Sequence, residues 1–331
     1  MYKRVSIIGD GAMGTVLAML LCEKGIHTRL WGYDPAQLAQ TEQASENVKF
    51  LPGHPLPETL IYEPADDRIM EKVDLIVSAV PCQFVRSIWQ RLKPHLTQDV
   101  PIVSVSKGIE NKTLLRPTEI IAGVLGESVR YAVLSGPTIA DELARKLPAT
   151  ACIACDDLGL AERMQYTFTT RWFRVYTNSD VVGVELASAC KNVIALAAGA
   201  IDGIHVGDNA KAALLCRGLA EMTRLGVACG AKAETFAGLA GLGDLVTTCI
   251  SPMGRNRAFG ERIGQGLSTE QALKATVSVV EGVATCDSLV ALARRKGIEM
   301  PIAEAVNQVL FQHKTMQEAV HDLMGRDLKS E

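Results

Sequence analysis

No charge of one sign dominates this chain of 331 residues: 34 Lys and Arg stand against 37 Asp and Glu, a net charge of −3. That balance excludes the broad basic face of a nucleic-acid binder and the polybasic surface of a protein held on anionic lipid. The six histidines show neither close metal-ligand spacing nor an orienting acid, so no metal site is expected. Gly-x-Ser-x-Gly is absent, which removes the simplest nucleophile-elbow hydrolase. The nine cysteines are odd in number and scattered from Cys22 to Cys286 inside apolar runs. They frame no short loops, which excludes a disulfide-stapled module and predicts reduced thiols in a cytoplasm. Cys152-Ile153-Ala154-Cys155 has redox or zinc spacing but no second pair, and reads as two buried thiols in a strand. The start, Met1 to Gly9, lacks the apolar region of a signal peptide. The most apolar long stretch, Val181 to Ile204, carries Glu185, Lys191 and Asp202, so it predicts a buried helix and no membrane insertion.

At roughly 150 residues per domain the length suggests two domains. As far as Tyr176, short β-branched runs alternate with amphipathic segments. Strands are predicted at Val5 to Ile8, Thr28 to Trp31, Leu75 to Ala79, Ile102 to Val105, Tyr131 to Leu134, Ala151 to Ala154 and Phe173 to Tyr176. Helix-length patterns such as Thr15 to Lys24, Phe84 to Leu92 and Ile139 to Arg145 lie between them. Such alternation predicts an α/β fold, a doubly wound parallel sheet covered on both faces. After the capping cluster Asn178-Ser179-Asp180 the pattern turns helical, with helices at 181–201, 209–229, 233–236, 256–265, 269–275, 284–296, 301–311 and 315–323. The expected domains are therefore 1–178 and 179–331.

Gly9-Asp10-Gly11-Ala12-Met13-Gly14 matches the dinucleotide fingerprint and sits between a strand and a helix, as its mechanism requires. Gly9 permits the tight turn, Gly11 lets backbone approach a pyrophosphate, and Gly14 lets helix and strand pack closely. Asp10 is expected to point away from phosphate charge. The acid that would read a ribose hydroxyl is missing from Leu30-Trp31-Gly32-Tyr33-Asp34, so NAD and NADP both stay open. Tyr33 suits the adenosine border, and Asp34-Pro35 serves equally as the cap and first residue of a helix.

Lys191 interrupts an otherwise apolar stripe of Val184, Ala187, Ala195 and Ala198. An amine placed there must snorkel, pair with an anion or lose its proton, and a neutralised amine suits proton transfer. Ser106-Lys107-Gly108 puts a cation at the carboxyl end of a strand, where open parallel sheets bind ligands. Ser135-Gly136-Pro137-Thr138 again links strand to helix, and serves a ligand or a plain helix cap. In the helical half, Gly238 to Asp244 and Ser251 to Arg257 read as glycine-rich breaks, and Arg255-Asn256 at a helix start suits a phosphate dianion.

Together the motifs resemble those of the bacterial NAD(P)-dependent glycerol-3-phosphate dehydrogenase family. The matching stretches are Ile8 to Thr15, Leu30-Trp31-Gly32, Ser106 to Glu110, Leu134 to Thr138, Ala189-Cys190-Lys191-Asn192-Val193, Gly241-Leu242-Gly243-Asp244 and Arg255-Asn256-Arg257. The resemblance implies an N-terminal Rossmann-like domain and an all-helical domain similar to that of 6-phosphogluconate dehydrogenase. It implies reversible NAD(P)-dependent reduction of dihydroxyacetone phosphate to sn-glycerol 3-phosphate for phospholipid synthesis, without a metal. Lys191 then corresponds to the proton acceptor. Lys107, Gly136, Thr138, Lys191, Asp244, Gly254, Arg255 and Asn256 correspond to substrate-holding positions, with Asn192 beside them. Gly9, Gly11, Ala12, Met13, Gly14, Tyr33, Lys107, Ala140, Arg255, Val279 and Glu281 correspond to cofactor contacts. The chain departs from the family pattern at Ala12-Met13, where a serine and an aromatic are usual. It departs again at Tyr33, in place of a basic or histidine residue, and at Gly254, in place of a serine. A cytoplasmic homodimer is expected. The rivals are a β-hydroxy acid dehydrogenase of the same build and a nucleotide-sensing module without chemistry, and comparative substrate assays separate them.

Overall fold

The computed structural model describes residues 2–97, 99–276 and 279–327. Its β-branched runs form strands because side chains branched at Cβ fit a pleated surface better than a helix. These are β1 Arg4–Ile8, β2 His27–Trp31, β3 Ile61–Tyr62, β4 Leu75–Ser78, β5 Ile102–Ser104, β6 Tyr131–Ser135, β7 Ala149–Ala154 and β8 Phe173–Asn178. They make one sheet in the order β3-β2-β1-β4-β5-β6-β7-β8. The first six follow the doubly wound dinucleotide order, and the order reverses between β1 and β4, which is where such sheets bind ligands.

The sheet is not wholly parallel: β6 and β7 run antiparallel, while β7 and β8 are again parallel. The connection between β6 and β7 carries a helix, Ala140–Ala144, of five residues, which spans about 7.5 Å at 1.5 Å per residue.

Seven helices accompany the strands: α1 Ala12–Glu23, α2 Pro35–Ala44, α3 Asp66–Met70, α4 Val85–Leu92, α5 Pro117–Leu125, α6 Ala140–Ala144 and α7 Leu158–Phe168. Successive strand residues point to opposite faces. Ile7 and Leu30 thus join a core with Leu17 and Leu21 of α1 and Met164 of α7. Ile8 and Trp31 join the opposite core with Ile69 of α3, Trp89 of α4 and Ile120 of α5.

From α8 on, the fold is helical: α8 Val181–Gly203, α9 Asp208–Ala228, α10 Ala233–Ala237, α11 Asp244–Ile250, α12 Arg255–Gly264, α13 Thr269–Lys274, α14 Glu281–Lys296, α15 Pro301–Phe311 and α16 Met316–Met324. The Asp180 carboxylate caps α8, accepting the Gly183 N–H at 2.8 Å. α8 is long and apolar enough to cross a membrane, but 94% of its most apolar window is buried, which marks it as a core helix. The segment Gly238 to Asp244 is no break. A π-helical turn over Leu239–Gly243 runs directly into α11.

Two compact units result. One holds the chain up to Lys107 together with Leu115–Glu185; the other holds Gly108–Leu114 and the chain from Leu186 onward. Gly108–Leu114 is tied to the second unit by the Ser288 hydroxyl, which donates to the Ile109 carbonyl at 2.9 Å. Within that unit α8 and α12 touch backbone to backbone. A Cβ on Gly199 would lie 1.8 Å from the Arg257 carbonyl oxygen, and one on Gly260 would lie 2.0 Å from that of Leu196. Gly203 and Gly264, one turn further along each helix, are equally confined.

Candidate functional site

In the first unit the glycine turn follows β1. Gly9 adopts φ +115°, and a Cβ there would strike the Ala79 carbonyl oxygen at 2.6 Å. A Cβ on Gly14 would lie 1.9 Å from the Gly9 oxygen. Both glycines are required by the fold itself. Gly11 differs: its φ is an ordinary −67°, and a Cβ would meet nothing within 4 Å. Nothing inside the protein demands glycine at 11, whereas a pyrophosphate drawn against the backbone would. Gly11 also caps α1 without any side-chain hydrogen bond, so the first-turn N–H groups face outward with the positive end of the helix dipole. The loop fits a dinucleotide.

The turn is held by a residue the sequence reading missed. Asn47 is fully buried, and its side-chain amide donates to the Asp10 carbonyl at 2.7 Å and to the Thr15 hydroxyl at 2.8 Å. It arrives from a loop with no periodic signal. The Asp10 carboxylate lies over Gly32, where a Cβ would sit 2.6 Å from Oδ2, and burial pushes its carboxyl above the usual range. Ala12 and Met13 pack partly buried against the adjacent core. Tyr33 is 68% exposed. Asp34 acts as a helix cap, its Oδ1 accepting the Ala36 N–H at 3.0 Å.

Lys107, Gly136 and Thr138 come together around one oxygen. The Gly136 carbonyl accepts from Lys107 Nζ at 3.5 Å and from the Thr138 hydroxyl at 3.1 Å. Gly136 has φ +153°, and a Cβ would press on Ala151 Cα at 2.8 Å, so this glycine serves packing against β7. Ala140 begins α6 two residues beyond Thr138.

In the second unit Lys191 is 5% exposed. Of the three fates open to a buried amine, it has found an anion: Nζ donates to Asp244 Oδ1 at 2.8 Å and to the Thr248 hydroxyl at 2.6 Å. Asp244 is itself 2% exposed. The Thr248 hydroxyl lies 3.2 Å from the same carboxylate oxygen. Thr248 escaped the sequence reading because its helix was hidden in an apparent glycine-rich break; the four-residue step from Asp244 was the available signal. Next to Lys191, Asn192 accepts from Asn256 Nδ2 at 2.9 Å, while Asn256 Oδ1 accepts the Gly282 N–H at 3.0 Å. Asn256 thereby clips the starts of α12 and α14 to α8. Gly254 is the N-cap of α12, again without a side-chain cap. Arg255 follows it, and its Nη1 donates to the Val279 carbonyl at 3.4 Å. Glu281 opens α14. Arg257 is structural, pairing with Asp202 at 2.6 Å.

The cysteines offer no competing chemistry. Cys152 and Cys155 are buried, and burial pushes the thiols of Cys249 and Cys286 up to about 12. Among the described residues no cluster of three or more His, Cys, Asp or Glu is arranged to hold a metal ion.

Comparison with known proteins agrees over nearly the whole chain. Residues 4–161 match the family described as the N-terminus of NAD-dependent glycerol-3-phosphate dehydrogenase, and residues 180–321 match its C-terminus. A glycerol-3-phosphate dehydrogenase [NAD(P)+] of Geobacter metallireducens is 45% identical, covering 100% of this chain and 99% of the relative. One from Corynebacterium glutamicum is 44% identical, covering 99% of each. The crystal structure of glycerol-3-phosphate dehydrogenase from Coxiella burnetii superposes with a TM-score of 0.95 at 37% identity, covering 98% of this chain and 99% of that one.

Proposed function

This chain belongs to the NAD-dependent glycerol-3-phosphate dehydrogenase family, and on that basis we propose that it catalyses the reversible reduction of dihydroxyacetone phosphate to sn-glycerol 3-phosphate. The observation that carries the chemistry is the buried Lys191, Asp244 and Thr248 cluster, with contacts of 2.8 and 2.6 Å to Nζ. A dinucleotide held at Gly9, Gly11 and Gly14 would supply hydride chemistry for the ketone carbon, in either direction. Lys191 gives a proton to the developing alkoxide oxygen, and takes the hydroxyl proton when glycerol 3-phosphate is oxidised. Asp244 and Thr248 hold Nζ at a fixed point and orient its N–H bonds, which makes them positioning residues. No metal enters this scheme.

In this reading Arg255 and the uncapped start of α12 hold the substrate phosphate, through a two-pronged guanidinium and outward N–H groups. Gly254 keeps that start free of a competing side chain. Asn256 keeps α12 in register with Asn192 and Lys191. Lys107 and Thr138, gathered at the Gly136 carbonyl, contribute a cation and a hydroxyl to substrate orientation. The dinucleotide reading rests on Gly9, Gly11 and Gly14 of the first unit, and the family resemblance adds Ala12, Met13, Tyr33 and Ala140 of the same unit.

The product suits glycerophospholipid synthesis. Cysteines scattered through apolar runs and mostly buried support a reducing, cytoplasmic setting. Self-association as a homodimer belongs to the same reading, with a light-scattering mass of two chains as the expected result. The decisive assay follows NADH and NADPH absorbance in parallel with dihydroxyacetone phosphate as oxidant. Turnover with this ketone and none with short hydroxy-acid precursors is expected; no turnover with either cofactor contradicts the proposal.

A further inference from the structure

Beyond the glycine turn, the carboxyl end of β2 carries a cluster of side chains centred on Arg91, which has no part in the proposed reaction. The Trp31 indole N–H donates to Asp66 Oδ1 at 3.0 Å. The same carboxylate receives Arg91 of α4 side-on, Nε to Oδ2 at 2.6 Å and Nη2 to Oδ1 at 2.9 Å. The guanidinium carbon lies 5.1 Å from the Trp31 ring centre and 5.7 Å from that of Tyr33, within cation–π range of both. One edge of the fork is thus committed. Nη1 makes no hydrogen bond among the described residues, and the side chain is 38% exposed.

We propose that Arg91, stacked beside Tyr33, is the specificity determinant at the adenosine ribose, where its open edge takes a 2′-phosphate and so admits NADPH. The inference rests on the dinucleotide reading of the first unit. In doubly wound sheets this position separates the two cofactors: a free acid reads the ribose hydroxyl, and a nearby arginine accommodates the phosphate. Neither Asp34 nor Asp66 is free for the first task. Asp34 caps α2 through Oδ1, and Asp66 is covered by Trp31 and Arg91. The Asp66 pair and the two rings hold the guanidinium plane at a set angle, so its remaining donors are oriented before a ligand arrives. A lysine on the same stem would keep the charge and lose that geometry.

The probes are 2′,5′-ADP and 5′-AMP, titrated calorimetrically against the native protein, Arg91→Gln and Arg91→Lys. The native protein is expected to favour 2′,5′-ADP by about tenfold or more, the scale of one charge-assisted pair. Arg91→Gln abolishes that preference while leaving 5′-AMP affinity within about twofold, and Arg91→Lys retains part of it. Three results overturn the proposal: no preference in the native protein, a preference that survives in Arg91→Gln, or an equal loss for both probes. An equal loss would assign Arg91 a packing role. Failure of the native protein to bind either probe would overturn the dinucleotide reading as well, a different pattern from losing the preference alone.

Discussion

Both units use glycine for close packing, and against that background one glycine of the sheet unit, Gly11, stands apart. In the helical unit Gly199, Gly203, Gly260 and Gly264 each press on backbone atoms of the facing helix, so every one is demanded by the protein. In the sheet unit Gly9 and Gly14 are demanded in the same way, but a side chain on Gly11 would enter open space. The spacing of the fingerprint treats its three glycines alike. Their surroundings do not, and the one without an internal reason is the one a pyrophosphate needs.

The largest effect should follow from filling a packing glycine. Gly260→Ala places a methyl group where a carbonyl oxygen lies 2.0 Å away, and overpacking of this kind costs about 1 to 3 kcal/mol or more. A melting temperature lowered by several degrees, with dinucleotide affinity kept in the folded protein, is the expected outcome; unchanged melting would break the comparison. Gly11→Ala should behave in reverse. It should cost less than about 1 kcal/mol of stability, as a helix-cap change does, yet weaken NADH binding roughly tenfold, or about 1.4 kcal/mol. Calorimetry and a thermal melt on the same sample check both, and a melt that falls while binding holds would reverse the assignment.

A smaller effect concerns pH. Glu221 of α9 is buried and accepts the N–H groups of Ile302 and Ala303, at 2.8 and 3.4 Å, at the start of α15. Burial outweighs those bonds and pushes its carboxyl from the usual 4.5 up to about 7. The folded protein therefore holds this proton more tightly than the unfolded chain does. The stability it brings is complete below about pH 4.5 and is lost as pH rises through about 7, at no more than about 1.4 kcal/mol per pH unit. Denaturant melts between about pH 5 and 8 should show this decline, and Glu221→Gln should flatten it. An identical slope in both proteins would assign the pH dependence elsewhere.

Much of this architecture was legible in the sequence. The seven predicted strands were visible as β-branched runs, whereas β3 has two residues and cannot display a period. The antiparallel step at β7 was hidden because side-chain alternation carries no strand direction. Lys191 stood out as a lone charge in an apolar helix. Its partners were harder to see: Asp244 lies 53 positions away, and Thr248 sits on a helix whose onset is a π turn full of glycine. Asn47 and Arg91 come from a loop and from a solvent-facing helix position, where an amide or a cation is ordinary and only three-dimensional proximity gives it meaning.

In the proposed reaction the amine of Lys191 is the group that moves the proton. Replacing it in Lys191→Met, and measuring dihydroxyacetone phosphate reduction alongside NADH binding, tests this most directly. Turnover reduced roughly 10² to 10⁴-fold with cofactor affinity intact is the predicted result, the scale of a lost general acid. Turnover within about twofold of the native protein would contradict it, since general acid–base catalysis is worth far more than that.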